Sequence, residues 1–226
     1  LRAAALLGLN EGIDNHFSLA VPGRDDRFLV NPYGPHWSEV RASDLLEVDV
    51  DGAVVAGEGR LDRTAFSIHR GVHLAHPGAR CVLHTHMPYA TALACTEAGL
   101  DTRLSQNSTY FHGRVARLPY GGLAEDTSEG ERIATAVRDG VWVVLLDNHG
   151  VLVVGDTVAD ALHRLYFLER ACEVQVLAAS TGSPLVRMDE ETAEHTAEQW
   201  RRSPGSQGYF AAVLRQLDRL DASFRA

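Results

Sequence analysis

Two rhythms of apolar residues alternate along this chain. Stretches with a period of two read as half-buried strands: Phe17–Val21, closed by Pro22-Gly23, and Arg27–Val30, closed by the turn-forming run Asn31–Pro35. Glu47–Val55 alternates on either side of Asp51-Gly52, a dipeptide that favours the tight turn of a hairpin. The apolar runs in Arg80–His84, Val141–Leu146 and Gly150–Gly155 read as strands covered on both faces, and Arg114–Leu118 as one more. Helical spacing puts Ala65, Ile68, Val72 and Ala75 on one stripe of a helix over Asp62–Ala75, ended by Pro77-Gly78. Further helices are predicted over Leu1–Gly12, Met87–Ala98, Ser128–Asp139, Thr157–Ala179 and near Tyr209–Leu220, with a capped turn at Ser43–Leu46. Ser128 followed by Glu131 has the form of a capping box. The stretch from Gly182 to Ser206 reads as polar and turn-rich. Strands and helices interleave, so the predicted class is α/β with a mixed sheet.

Composition narrows the chemistry. A chain of 226 residues is one large domain or a smaller one with a tail, and buries enough surface to fold without metal or disulfide. The net charge of −9 argues against a nucleic-acid partner, and no apolar run approaches the ~20 residues of a membrane span. No leader peptide is read at the start, and because the chain opens on Leu1 rather than Met an upstream start is expected. All 21 basic residues are Arg; without Lys, Schiff-base aldolases, pyridoxal-phosphate enzymes and P-loop NTPases are excluded. Cys81, Cys95 and Cys172 show no paired spacing, which fits a reducing, cytoplasmic setting with Cys81 and Cys172 acting as small apolar residues.

The sharpest local feature is His84-Thr85-His86 at the end of an apolar strand. Side chains two apart on a strand share a face, so both imidazoles can reach one cation. Alone, such a pair is more readily two exposed or hydrogen-bonded histidines. Asp147-Asn148-His149-Gly150 adds a third imidazole between two apolar strands, 63 residues after His86. Three histidines leave a coordination position open, as a catalytic metal requires; Zn²⁺ is the expected ion, with Mn²⁺ and Fe²⁺ as alternatives.

Val82-Leu83-His84-Thr85-His86, Leu146-Asp147-Asn148-His149-Gly150-Val151 and Leu168-Glu169-Arg170-Ala171-Cys172, in that order, resemble the class II aldolase/adducin family. Phe28-Leu29-Val30-Asn31-Pro32-Tyr33-Gly34 and Asp44–Gly52 look like its strand-turn segments. The resemblance covers roughly residues 1 to 180. It implies a single three-layer α/β/α domain around a mixed, largely antiparallel central sheet, His84, His86 and His149 as metal ligands, and a homotetramer with sites near subunit interfaces. Residues 1–182 are expected to form the metal-binding domain, and 183–226 a helical extension on that domain or at an interface.

Two departures from the sugar-phosphate aldolases shape the functional expectation. The metal-site Glu that shuttles protons in them is Ala65 here, and their phosphate-holding Gly-Asn-x-Ser reads Asn15-His16-Phe17-Ser18. The expected activity is therefore metal-dependent aldol cleavage or decarboxylation of a non-phosphorylated, carboxylate-bearing substrate, aromatic acids included. An Fe(II)-dependent oxygenase and a non-catalytic adducin-like interaction module are the alternatives. His16, Ser18, Arg63 and Gln106 are the candidate substrate contacts. Tyr110 and His112, in the polar and aromatic loop Ser105–Arg114, are candidate proton donors in place of the missing Glu, with a surface loop the equal alternative. Arg114 is a further candidate partner for a carboxylate. His69 and His73 have the spacing of a helical zinc pair but lack the accompanying Glu, so they read as packing or surface residues; His163 reads as a helix residue rather than a fourth ligand.

Overall fold

The computed structural model describes residues 1–76, 78–123, 127–137, 140–202 and 205–226. Its strands are β1 (His16–Ala20), β2 (Arg27–Val30), β3 (Leu46–Asp49), β4 (Val54–Ala56), β5 (Cys81–Thr85), β6 (Val115–Leu118), β7 (Val143–Leu146) and β8 (Gly150–Gly155). They form one sheet in the order β4-β3-β2-β1-β5-β8-β7-β6. Every pairing is antiparallel except β6 with β7. The helices are α1 (Arg2–Leu6), α2 (Arg63–Ala75), α3 (Pro88–Ala94), α4 (Gln106–Thr109), α5 (Thr127–Ala136), α6 (Val158–Ser180), α7 (Glu190–Arg202) and α8 (Ser206–Leu220).

Strand periodicity separates two cores. Val82, Val144, Leu146, Leu152 and Val154 point to one face and pack on Ile68 and Val72 of α2 and Ile133 of α5. Their neighbours Cys81, Leu83, Val143, Leu145, Val151 and Val153 point the other way, onto α3 and α6. Helices thus cover both faces of the central strands, which explains why β5, β7 and β8 are buried throughout. This is the expected three-layer α/β/α arrangement around a mixed, largely antiparallel sheet. The Glu169 carboxylate on α6 accepts from the Tyr89 and Ala90 N–H groups at the start of α3, both at 2.9 Å, and so ties two helices of one layer together.

Some boundaries differ from the sequence expectation. The first helix spans only five residues. Ser128 lies inside the first turn of α5 rather than at its cap, since the helix starts at Thr127; the expected end of that helix at Asp139 lies outside the described residues, as does Pro77 after α2. The stretch read as turn-rich contains the 13-residue helix α7. Its apolar stripe is narrow, with Ala193 and Ala197 buried, and charge pairs such as Arg201–Glu194 and Arg202–Glu198 line the rest, so hydrophobic periodicity gave no signal. The final helix starts at Ser206, three residues before the expected start. α8 packs through Val213 and Leu217 on Ala3 and Leu162, and Trp200 of α7 lies against Tyr110 and Phe167.

Candidate metal centre

The register of β1 and β5 sets His16 opposite His84 on the face covered by α2. His84 closes toward the end of β5, His86 follows it, and His149 sits in the turn between β7 and β8. The three ring centroids of His84, His86 and His149 are 4.8–4.9 Å apart, and one ligand nitrogen from each lies within 4.8 Å of the others. The β7–β8 turn is fixed by its own backbone. Asn148 adopts φ of +55°, a region Asn tolerates. Its N–H donates to the Ala94 carbonyl at 3.2 Å, and Asp147 N–H donates to that of Leu118 at 2.9 Å. Arg117 pairs with the Asp147 carboxylate and also reaches the Thr96 and Glu97 carbonyls. Gly150 is required by close approach: a Cβ there would lie 2.6 Å from Thr85 O and 2.7 Å from His86 Cδ2.

Hydrogen bonds assign the ring tautomers. His84 Nδ1 donates to Val151 O at 3.0 Å, and His86 Nδ1 donates to the Glu11 carboxylate at 2.5 Å. A neutral imidazole carries one N–H, so both rings turn a bare Nε2 inward. Those two nitrogens are 3.1 Å apart. Facing lone pairs at that distance repel unless a cation lies between them. Burial first, then the neighbouring imidazoles, holds His84 well below its ordinary value, and burial followed by His86 holds His149 at about 4. Tetrahedral Zn²⁺ with Zn–N bonds of about 2.0–2.1 Å spaces its ligand nitrogens about 3.4 Å apart, close to the observed separation. The residues fit a divalent cation held by three imidazoles with one side open.

Around this triad, the Asn15 side-chain carbonyl accepts from Glu11 N–H at 2.7 Å, while its buried Nδ2 has no partner among the described residues and is free to donate to a ligand. The Tyr120 ring, 49% exposed, stands 6.1 Å from that of His149. His16 stacks on His84 with centroids 4.8 Å apart, and His16 Nδ1 lies 2.8 Å from His69 Nε2. Ser18 Oγ then joins His69 Nδ1, at 2.5 Å, to His73 Nε2, at 2.7 Å. His69 and His73 do pack in the interior, His73 stacked on Phe28 with ring centroids 5.3 Å apart, and both are in addition polar members of this chain. Burial is the leading cause that lowers His16 and His73 to about 4, and it holds His69 well below its ordinary value.

The candidate residues fall into two groups. His16 and Ser18 lie behind the triad, and Arg63, exposed, begins α2 at the end nearer it. Tyr110, His112 and Gln106 lie elsewhere in the subunit. β6 runs parallel to β7 with Val115 beside Val143, so the loop before β6 sits at the start of β7, whereas His149 follows its end. The four residues of β7 separate the two by about 13 Å. Tyr110 is buried against Trp142, Trp200 and His163, and Trp200 Nε1 donates to the Gln106 carbonyl. His112 is held by Thr102 Oγ1 at 2.9 Å and Glu190 at 3.0 Å. Arg114 reaches the Gly140 carbonyl beside Trp142. His163, next to the Tyr110 hydroxyl, is no ligand of the triad. Ala65 is 1% exposed and packs with Phe28, Val30, Leu46 and Val48. Buried Cys81 is pushed up to about 12, as expected of an inert thiol.

A family model described as the class II aldolase and adducin N-terminal domain matches residues 1–176. The chain belongs to the class II aldolase and adducin family. A solved aldolase II superfamily protein from Pseudomonas syringae is 37% identical, with a TM-score of 0.93 covering 100% of this chain and 91% of the other. The L-fuculose 1-phosphate aldolase of Glaciozyma antarctica is 26% identical, with a TM-score of 0.85, covering 100% of this chain and 88% of that one. β-Adducin from Rattus norvegicus is 30% identical over 97% of this chain, which spans only 32% of that longer protein. Class II aldolases are typically metal-dependent lyases, and the imidazole triad lies in a fold shared with one of them. No helix among the described residues is long and apolar enough to cross a membrane.

Proposed function

We propose that the chain is a divalent-metal-dependent lyase that cleaves or decarboxylates a non-phosphorylated, carboxylate-bearing substrate, with His84, His86 and His149 as the metal ligands. The observation that carries this reading is the convergence of three imidazoles, with His84 and His86 Nε2 3.1 Å apart and each of those rings held by a hydrogen bond at its own Nδ1. A divalent cation, when bound, acts as a Lewis acid that stabilises negative charge developing on a neighbouring substrate oxygen. Zn²⁺ is the ion assigned.

The chain's own residues do the rest. Glu11 and Val151 O hold the ligand rings in orientation. Asn15 Nδ2 offers a buried donor beside them, and Tyr120 offers an aromatic wall at the mouth, which suits an aromatic acid. Arg63 is assigned to the substrate carboxylate. Ala65 supplies no proton, and Tyr110, His112 and Gln106 take no step at the triad of their own subunit. Residues 1–182 constitute the metal-binding domain in this reading. Residues 183–226 are a helical extension that buttresses it, and the working assembly is a cytoplasmic homotetramer.

Equilibrium dialysis against Zn²⁺, Mn²⁺ and Fe²⁺ tests the centre: one ion per chain is expected, lost in His149→Ala. Turnover of a panel of hydroxy and keto carboxylates under nitrogen then tests the chemistry. Activity that requires and consumes O₂ assigns an oxygenase instead. The similarity to β-adducin favours a second reading, a non-catalytic interaction module; a chain that takes up no metal supports it.

A further inference from the structure

At the end of β1 remote from the triad, the sheet and α2 flank a cavity of about 220 Å³. Ala20 is on its wall, and the four residue steps of β1 from Ala20 back to His16 put the cavity about 13 Å from the imidazoles. Alternation along the strand sets the orientation. Ser18 meets α2 through His69 and His73, so Ala20, two residues on, faces α2 as well, and Phe28 lines the same side.

Four arginines reach this cavity, Arg24, Arg27, Arg70 and Arg80, against one carboxylate, that of Asp25, the reverse of the chain's net charge of −9. Two of the four are spent. Arg24 grips the Asp26 carboxylate with Nε and Nη2, both at 2.8 Å, and Arg27, which leaves β2 on the face opposite Phe28, pairs with Glu47 at 3.1 Å. The other two are not. Arg70 Nε donates to the Val50 carbonyl at 2.6 Å; Val50 is itself part of the wall, so the guanidinium end of Arg70, and not only its stem, stands at the cavity. Both of its Nη groups are without a partner among the described residues. Arg80 reaches only the Val21 carbonyl, through Nη2 at 3.5 Å, and its Nε and Nη1 are unpartnered among the described residues too. Neither guanidinium is ion-paired there. His73, also on the wall, commits its Nε2 to Ser18. Two like charges beside one cavity repel each other. An anion between them removes that repulsion, and each planar fork matches two oxygens of an oxyanion.

We propose that this cavity is an anion site, separate from the metal centre, in which Arg70 and Arg80 hold a doubly charged tetrahedral oxyanion: inorganic phosphate or the phosphate group of a small ester. Two unpaired guanidinia facing one occupant select a dianion over a single carboxylate. The volume lies below the ~300–1,000 Å³ of drug-sized ligand pockets, which limits the occupant to a small molecule, and Phe28 and Leu74 give an apolar wall to the short organic part of an ester. Asp25 is the one wall group that opposes such a ligand, and it is exposed, so water screens much of its repulsion. The site shares no residue with the triad, and so stands or falls apart from the lyase reading.

Isothermal titration of the full chain at low ionic strength with inorganic phosphate, glycerol 3-phosphate and acetate tests the site. One phosphate per chain is expected to bind, in the unaltered chain and equally in His149→Ala; loss in His149→Ala places the ion at the metal centre and overturns the proposal. Arg70→Gln and Arg80→Gln are each expected to weaken phosphate binding by about tenfold or more. Asp25→Asn, an exposed change away from the core, is expected to strengthen it about two- to fivefold. Where an arginine variant fails to fold, the arginine Nε–H signals of the unaltered chain decide: phosphate is expected to shift those of Arg70 and Arg80 and to leave that of exposed Arg215, on α8, in place. Tighter binding of glycerol 3-phosphate than of phosphate assigns the ester as the occupant, and equal or weaker binding assigns the free ion. No phosphate binding, binding indifferent to both arginines, Nε–H signals of Arg70 and Arg80 that do not move, or acetate bound as tightly as phosphate overturns the site.

Discussion

Gly150→Ala offers a direct test of how tightly the β7–β8 turn is locked onto the triad. An added Cβ would meet Thr85 O at 2.6 Å and His86 Cδ2 at 2.7 Å, whereas ordinary van der Waals contact begins at 3.4 Å. The shortfall at the ring is 3.4 − 2.7 = 0.7 Å. Thr85 belongs to a strand buried throughout and paired with β8, so its carbonyl has little room to retreat and the His86 ring must take most of the displacement. Overpacking of this kind costs about 1–3 kcal/mol, which for a chain of this size lowers Tm by roughly 2–12 °C. Metal binding is the more sensitive readout, since ligand distances in a zinc site tolerate only about 0.2 Å. A loss of at least about tenfold in Zn²⁺ affinity is therefore expected, comparable to the loss of an outer-sphere partner. Competition with a chromophoric chelator measures the affinity and calorimetry measures Tm. Gly208→Ala is the control: it lies in α8 with nothing within 4 Å, and should leave zinc affinity intact while raising Tm slightly, because Ala is the better helix former. A Gly150→Ala protein with wild-type zinc affinity and Tm would refute the close approach and the role assigned to this glycine.

Glu11→Gln keeps the shape but removes the charge that orients His86, and Zn²⁺ affinity should fall by about 10–100-fold in the same competition assay; an unchanged constant shows that the carboxylate does not orient the ring. Gly130→Ala should lower Tm with little effect on zinc, because its Cβ would lie 2.0 Å from Ser67 O where α5 crosses α2; an unaltered melting curve contradicts that crossing. The buried imidazoles predict a pH profile. His73 and His163 are held at about 4, and His69 well below its ordinary value, chiefly by burial, whereas unfolded histidines titrate near 6.5. Between these values the unfolded chain binds the extra protons, so stability is full above about pH 6.5, falls as pH drops toward 4, and levels off below. Thermal unfolding of metal-free protein across that range checks it, and a flat profile contradicts the buried, neutral assignment.

The fold was legible where burial imposes a period. β5, β7 and β8 are covered on both faces and appear in the sequence as unbroken apolar runs; β1 to β3 have one covered face and alternate; the Asp51-Gly52 turn marks its hairpin. α7 was not legible, because a helix held by charge pairs and two buried alanines carries almost no apolar signal. At the site, the three imidazoles stood out because strand ends and a Gly-containing turn place side chains predictably. Glu11, Asn15 and Tyr120 did not, since each reaches the triad through a loop whose path depends on long-range packing. Tyr110 and His112 were chosen for their chemistry in a polar loop, but the parallel pairing of β6 with β7 carries that loop to the far end of the strands. Only register, not composition, decides which end of a strand a loop occupies.

The two departures from the sugar-phosphate pattern, at positions 16 and 65, lie on neighbouring elements, β1 and the start of α2. Positions 65, 69 and 73 recur every four residues and so form one stripe of the helix, which lies over β2 and β3 at Ala65 and reaches β1 at His69 and His73. In this chain the first of them is an alanine sealed against Phe28, Val30, Leu46 and Val48, and the polar work moves down the stripe to His69 and His73. A carboxylate at position 65 would have to be desolvated in that apolar cluster, at a cost that only a cation or hydrogen-bond donor within reach could offset. An imidazole at position 69 avoids the penalty, because a neutral ring can be buried as long as both nitrogens are used, and His16 and Ser18 use them. Restoring the carboxylate alone, as Ala65→Glu, should therefore lower Tm without conferring sugar-phosphate cleavage. A variant that keeps its Tm and gains that activity would show that the two positions act independently.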